Sequence, residues 1–118
     1  MLITCRVGSQ VTADIKLQVT RSKKGLREGW LWVPELSPSP ALFRDYLTWR
    51  EKGLWPAKWD EYKIRFLAEM KSPEAIKCIN YIRELLKSDK SVALACFCYD
   101  ERFCHRSLLR NIIEEALQ

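Results

Sequence analysis

The chain has 118 residues, 47% hydrophobic and 30% charged, with a net charge of +5 and a pI near 9.0. That length suits one domain with a real core, and the composition excludes a disordered chain. Its uncharged runs fall far short of the ~20 residues that span a bilayer, and it opens on no basic-then-apolar leader, so a cytoplasmic protein without membrane segments is expected.

The charge favours anionic partners: nucleotides, phosphorylated metabolites or nucleic acid. Acids and bases interleave over much of the chain, which argues against a dedicated nucleic-acid surface. The five cysteines are an odd count, and Cys96-Phe97-Cys98 lies within an apolar segment. Reduced thiols are expected rather than a disulfide framework.

Met1 to Val7 is apolar enough for a strand. Ile15, Leu17 and Val19 alternate with Lys16 and Gln18, the period of a half-exposed strand. The gap between these two is shorter than the dozen residues of a usual parallel crossover, so a hairpin or misplaced boundaries are the alternatives. Arg21 to Leu36 reads as an extended loop. Ser39 suits an N-cap and Pro40 the first position of a helix with a stripe of Leu42, Phe43, Tyr46 and Leu47. Gly53 to Pro56 breaks it.

A second helix is expected from Trp59 to about Met70, on the spacing of Trp59, Tyr62, Phe66 and Met70. Ser72-Pro73-Glu74 repeats the cap signal and starts a third helix, which buries Ala75, Ile79, Ile82, Leu85 and Leu86 and runs to about Lys87. After a turn at 88–91, Val92 to Cys98 is apolar on both alternating faces, the mark of a central strand covered by helices. The last helix carries Leu108, Leu109, Ile112, Ile113, Ala116 and Leu117 as its stripe. The pattern predicts a small, single, layered α/β domain over 1–118, with a short mixed or parallel sheet flanked by helices.

Chemistry concentrates where the last strand meets the last helix. Cys96, Cys98, Cys104 and His105, the only histidine, fall within ten residues, followed by Arg106. Strand-to-helix junctions are where α/β proteins usually place ligand sites. At about 100° per residue, His105 projects to the centre of the helical stripe, toward the sheet. Arg106 lies at its margin, and Cys104 sits outside it at the N-cap or first turn. There, unpaired N–H groups favour an anion and depress a thiol pKa.

Three chemistries fit these letters. In the first, a thiolate at Cys104, or at Cys96 or Cys98, works with His105 as a catalytic pair, and the two strand-end cysteines are the better placed against the ring. Neighbours on a helix do not face each other, so Cys104–His105 is not itself expected to be a dyad. In the second, Cys96, Cys98, Cys104 and His105 make four soft ligands for zinc, although C-x-C within a strand is unusual and no cofactor is the primary expectation. In the third, Arg106 and the helix start hold an anion, with Thr20, Arg21 and Lys23 contributing if the second strand ends on the same edge. Cys96 to Arg102 also fits the C-x₅-R outline of a phosphatase loop, but Asp100 and Glu101 lie inside it and no glycine wraps the phosphate. Cys5 and Cys78 are assigned to packing.

Several segments together resemble the domain-of-unknown-function family 488, the YeaO-like proteins. Val19-Thr20-Arg21 resembles its second strand ending in a polar and basic pair, and Leu36-Ser37-Pro38-Ser39 its Leu-x-Pro-Ser helix start. Trp59 and Tyr62 fall in its aromatic helix. Leu94-Ala95-Cys96 followed by Cys104-His105-Arg106 is similar to its most specific signature. The chain departs from the pattern at Cys98, where members often carry an acid. The resemblance implies a compact α/β domain and no settled activity.

The leading expectation is binding of an anionic, nucleotide-like ligand at the sheet's end by Arg106, His105, Thr20, Arg21 and Lys23. The alternatives are an enzyme using a cysteine thiolate with His105, and a module binding nucleic acid or protein through the basic, tryptophan-bearing segment 21–32.

Overall fold

The apolar segments of the sequence become a four-stranded sheet in the computed structural model, which describes residues 1–98 and 100–115. The strands are β1 (Leu2–Arg6), β2 (Ile15–Gln18), β3 (Trp30–Trp32) and β4 (Val92–Cys96). The helices are α1 (Pro40–Glu51), α2 (Trp59–Glu69), α3 (Pro73–Lys87) and α4 (His105–Glu115), with single 3₁₀ turns at Pro34–Leu36 and Glu101–Phe103. All four strands run parallel in the order β1-β4-β2-β3. The α/β layout expected from the pattern is therefore present, and the sheet is parallel.

The first two strands do not form a hairpin. β4 lies between them, pairing Leu2 with Val92 on one side and Ile15 with Val92 on the other. Residues 7–14 make the crossover without a helix. Eight extended residues reach about 27 Å. That covers the return along a short strand and two sheet spacings of about 4.8 Å. Gly8, at φ +95°, takes the turn beside the Ser9 N–H to Arg6 C=O bond of 3.0 Å.

This crossover also corrects the expected covering of β4. All five β4 residues are buried, as a central strand requires. Val92, Leu94 and Cys96 join Leu17, Val19, Phe66, Ile82 and Leu109 in the main core on the helical side. Ala93 and Ala95 face the other way and pack with Trp30, Ile3, Cys5, Val7, Val11 and Ala13. That face is sealed by a loop and one tryptophan, so small alanines suit it. The strand itself ends at Cys96, and Phe97 turns outward at 43% exposure.

Two further departures lie nearby. The segment 21–36, expected as loop, contains β3 and a 3₁₀ turn. Three residues are too few to reveal a period, although Trp30-Leu31-Trp32 are strand-favouring types. Gln18, expected on an exposed face, is buried because its amide donates to Thr20 Oγ1 at 3.1 Å, Lys24 C=O at 3.0 Å and Ser22 C=O at 3.4 Å. These bonds replace the water it loses.

The helices start where the cap signals place them. Ser39 Oγ accepts from the Leu42 N–H and Ser72 Oγ from the Ala75 N–H, both at 3.2 Å, with proline at the first helical position in each case. Glu69 also binds the Ser39 N–H at 2.8 Å and its hydroxyl, tying the end of α2 to the start of α1. The α1 stripe is only partly core: Leu42 is buried, whereas Phe43, Tyr46 and Leu47 border a cavity. α4 starts at His105, and the Ala116 and Leu117 of its expected stripe lie outside the described residues. No helix among the described residues is long and apolar enough to cross a membrane.

Candidate functional site

The strands β2 and β4 end side by side, and their carboxyl ends open into a pocket of about 360 Å³. The end of β2 supplies Thr20, Arg21 and Ser22, and the end of β4 supplies Cys96 and Cys98. Cys104 and His105 enter at the start of α4. Phe43, Tyr46 and Arg50 of α1, with Trp55 and Tyr62, form the opposite wall. A crevice beyond the carboxyl ends of parallel strands is the usual ligand position in such sheets.

Sulfur and imidazole make the floor. Cys96 Sγ and Cys104 Sγ lie 2.8 Å apart, both buried, and Cys104 Sγ lies 3.8 Å from His105 Nδ1. The last distance corrects an expectation. Cys104 is not helical but extended, at φ −134° and ψ 143°, so its side chain turns toward the ring of the next residue. The facing rule for helical neighbours does not apply to it. His105 points at the sheet as projected, and its Nε2 lies 2.7 Å from the Val19 carbonyl. A carbonyl only accepts, so Nε2 carries the proton and Nδ1 presents a lone pair to Cys104. Burial lowers the pKa of His105, against smaller raising effects from Cys98 and the Val19 bond. The ring is therefore neutral at neutral pH.

The three thiols divide one negative charge unequally. Hydrogen bonds from Cys104 and then Cys96 lower the pKa of Cys98, with His105 and Arg106 adding to the effect. Burial raises Cys104, and its bonds to Cys96 and Cys98 raise it further. For Cys96, the bond with Cys104 lowers the pKa, but Cys98 and burial outweigh it and the net shift is upward. The half-buried Cys98 is thus the sulfur at which the thiolate is favoured, and burial disfavours it at the two deeper sulfurs. Cys5 and Cys78 lie outside the cluster, each raised chiefly by burial.

The remaining sequence candidates separate. Arg21 borders the pocket, its Nη1 anchored to Ser37 Oγ at 3.1 Å and the Pro38 carbonyl at 3.2 Å. Thr20 also borders it, donating to the Ser22 carbonyl at 2.6 Å. Lys23 does not: its ammonium sits 5.3 Å over the Trp32 ring. Arg106 is not a pocket-lining residue either. It is 4% exposed and its Nη1 donates to the Cys5 carbonyl, which places it behind the sulfurs. The C-x₅-R outline builds no phosphate loop, because Arg102 points to solvent and pairs with Asp100 at 2.9 Å. Within 21–32, Trp30 is buried against the sheet and Arg27 donates to the Ser9 carbonyl at 2.9 Å.

The aromatic wall escaped the sequence reading, which took Tyr46 and Tyr62 for packing stripes. Tyr46 meets Trp55 edge-on at 4.8 Å, Trp55 meets Tyr62 at 5.4 Å, and Phe66 reaches His105 at 5.5 Å. Burial pushes the Tyr46 phenol up to about 12 and raises Tyr62 as well, so both stay neutral. The signal available was chemical: a phenol where leucine would serve as well for packing suggests a polar neighbour or a cavity.

Cys96, Cys104 and His105 form a group whose ligand atoms all lie within 4.8 Å of one another and that could hold a metal ion. Cys98, the fourth zinc candidate, falls outside that group.

No curated protein and no solved structure matches the chain. A family model does, over residues 4–117: DUF488-N3a, described as the active DUF488-N3 subclade. Its span includes both strand ends, the aromatic helix and the whole cysteine–histidine segment. The chain therefore belongs to the domain-of-unknown-function family 488, as its Cys104-His105-Arg106 signature implied.

Proposed function

We propose that the pocket binds a small anionic ligand carrying a flat ring, of the nucleotide class. The observation that carries this reading is the pairing of an aromatic wall, Tyr46, Trp55 and Tyr62, with Arg21 and Arg50 on one cavity. Its size lies at the lower end of the roughly 300–1,000 Å³ typical of small-molecule sites. A base stacked on an aromatic ring gains about 1–3 kcal/mol. A pre-oriented guanidinium adds a charge-assisted, bidentate grip on phosphate. Thr20 and Ser22 supply polar groups beside Arg21. Arg106 keeps a part in this reading through its field, since it favours negative charge in the cluster without touching the ligand.

Nucleoside monophosphates at millimolar concentration should raise the melting temperature of the full chain, and inorganic phosphate should do so less. Arg21→Ala should weaken that response by roughly tenfold to a hundredfold in affinity, from about 1.5–3 kcal/mol for a charged hydrogen bond. Failure of every nucleotide and of phosphate to shift the melting temperature would end this reading.

The Cys96, Cys104 and His105 group supports a second reading, that the pocket floor takes zinc. Two thiols and an imidazole are soft donors that suit zinc rather than magnesium or calcium. The His105 Nε2 bond to the Val19 carbonyl favours it: a ligating histidine usually donates its other ring N–H to such an acceptor.

A further inference from the structure

We infer that Cys96, Cys104 and His105 form an open, three-ligand metal centre whose fourth coordination position faces the aromatic pocket, so that a bound anion meets the metal directly. The inference rests on the zinc reading and adds to it the coordination number and the direction of access.

Geometry carries the argument. Zinc–sulfur bonds of about 2.3 Å and zinc–nitrogen bonds of about 2.0–2.1 Å put tetrahedral sulfur and nitrogen ligands roughly 3.6 Å apart. Cys104 Sγ and His105 Nδ1 stand 3.8 Å apart with the nitrogen lone pair facing the sulfur. Two ligating sulfurs would stand roughly 3.8 Å apart. Cys96 and Cys104, at 2.8 Å, would separate by about 1 Å as a metal entered. The backbone carries these ligands on two rigid elements, the end of β4 and the start of α4. Such support favours a precise site.

The fourth position follows from what surrounds the group. Strand β4 and its packed core lie behind the sulfurs, and His105 is held from the sheet side by Val19. The remaining side is the pocket, where all three ligand residues contribute to the lining. Cys98 stands there too and interacts with both sulfurs, but it is not within 4.8 Å of all three ligand atoms, which leaves it at the pocket side of the group rather than in it. Three protein ligands with one exchangeable position is the arrangement of catalytic zinc, whereas structural zinc is closed by four.

Arg106 supplies an independent sign that the floor expects negative charge. Its guanidinium is buried, its Nε has no hydrogen-bond partner, and no ion pair holds it among the described residues. A buried cation needs a counter-charge, and thiolate ligands together with an incoming anion provide one.

Cobalt(II) titration of the reduced full chain reads coordination directly. One equivalent should bind with a sulfur-to-cobalt charge-transfer band, and azide should then shift the visible bands by occupying the fourth position. The chain has five free cysteines, and metal should protect two of them from a thiol-titrating disulfide reagent while Cys98 stays reactive. Cys98→Ser should keep both the band and the azide response, and Cys104→Ser should lose the band with its helical circular dichroism intact. If Cys104→Ser does not fold, the thiol count on the unaltered chain still decides. Protection of three thiols, with bands indifferent to azide, describes a closed four-ligand site and overturns the inference while sparing the zinc reading. No cobalt binding overturns both.

Discussion

The two faces of the sheet are built from opposite materials. The helical face buries large side chains, Phe66, Leu94, Leu109 and Ile113, and leaves a cavity where three thiols and an imidazole meet. The loop face is thin: two alanines of β4, Trp30, and the apolar residues of an eight-residue crossover. The difference teaches where chemistry can reside in a domain this small. Helices project long side chains from a rigid frame over the strand ends, and their packing can leave a shaped hole. A crossover loop has to lie flat on the sheet to be buried at all, so it leaves little room for one.

The largest expected effect separates the two cores. Phe66→Ala should cost about 3–5 kcal/mol in denaturant unfolding, because a fully buried ring leaves a cavity among packed helices. Val11→Ala on the loop face should cost about 1 kcal/mol or less, since Val11 is only partly buried and a loop can collapse. Equal costs would mean that the loop face is as rigid as the helical one.

The thiols sharpen the comparison next. In chelator-treated protein, Cys98 alkylation followed by mass spectrometry should be flat between pH 6 and 8, since hydrogen bonds from Cys104 and Cys96 hold it as thiolate across that window. Cys5 on the loop face and Cys78 on α3 are raised above 9.0, so their labelling should climb about tenfold per pH unit. A Cys98 rate that climbs with theirs would remove the thiolate from the pocket.

A smaller effect probes the thinness of the loop face. Ala95→Leu should cost about 1–3 kcal/mol by forcing the crossover away from β4. Little or no loss would show that residues 7–14 yield freely.

The smallest effect concerns the seam where β2 begins. Asp14 accepts from the Ser91 N–H at 2.8 Å and from its hydroxyl at 3.1 Å, and these bonds lower its pKa below 3.8. A carboxylate with a depressed folded pKa stabilises above its unfolded pKa, and that stability is lost as pH falls through the folded value. Asp14→Ala should therefore melt below the parent at pH 7, and the gap should close in acid. A gap independent of pH would mean that the carboxylate charge contributes nothing.

The sequence alone determined much of the frame. Ser39-Pro40 and Ser72-Pro73 located two helix starts because a cap and a proline act locally, on the N–H groups beside them. The period of β4 and the stripe of α4 reported which faces are buried, and that stripe projected His105 onto the sheet. The Cys104-His105-Arg106 signature pointed to the family.

What only the tertiary structure decided depends on contacts distant in the chain. The insertion of β4 between β1 and β2 is a pairing across some ninety residues, and no local pattern encodes it. The meeting of Arg21 with the cysteine cluster follows from that pairing, as does the withdrawal of Arg106 behind it. The aromatic wall follows from how α1 and α2 stand over the strand ends, where the same stripe that reads as core borders a cavity. Cys104 faces His105 because one extended residue precedes the helix, and a single backbone angle outweighs the helical rule. Composition and period say which atoms leave water; only packing says which of them meet.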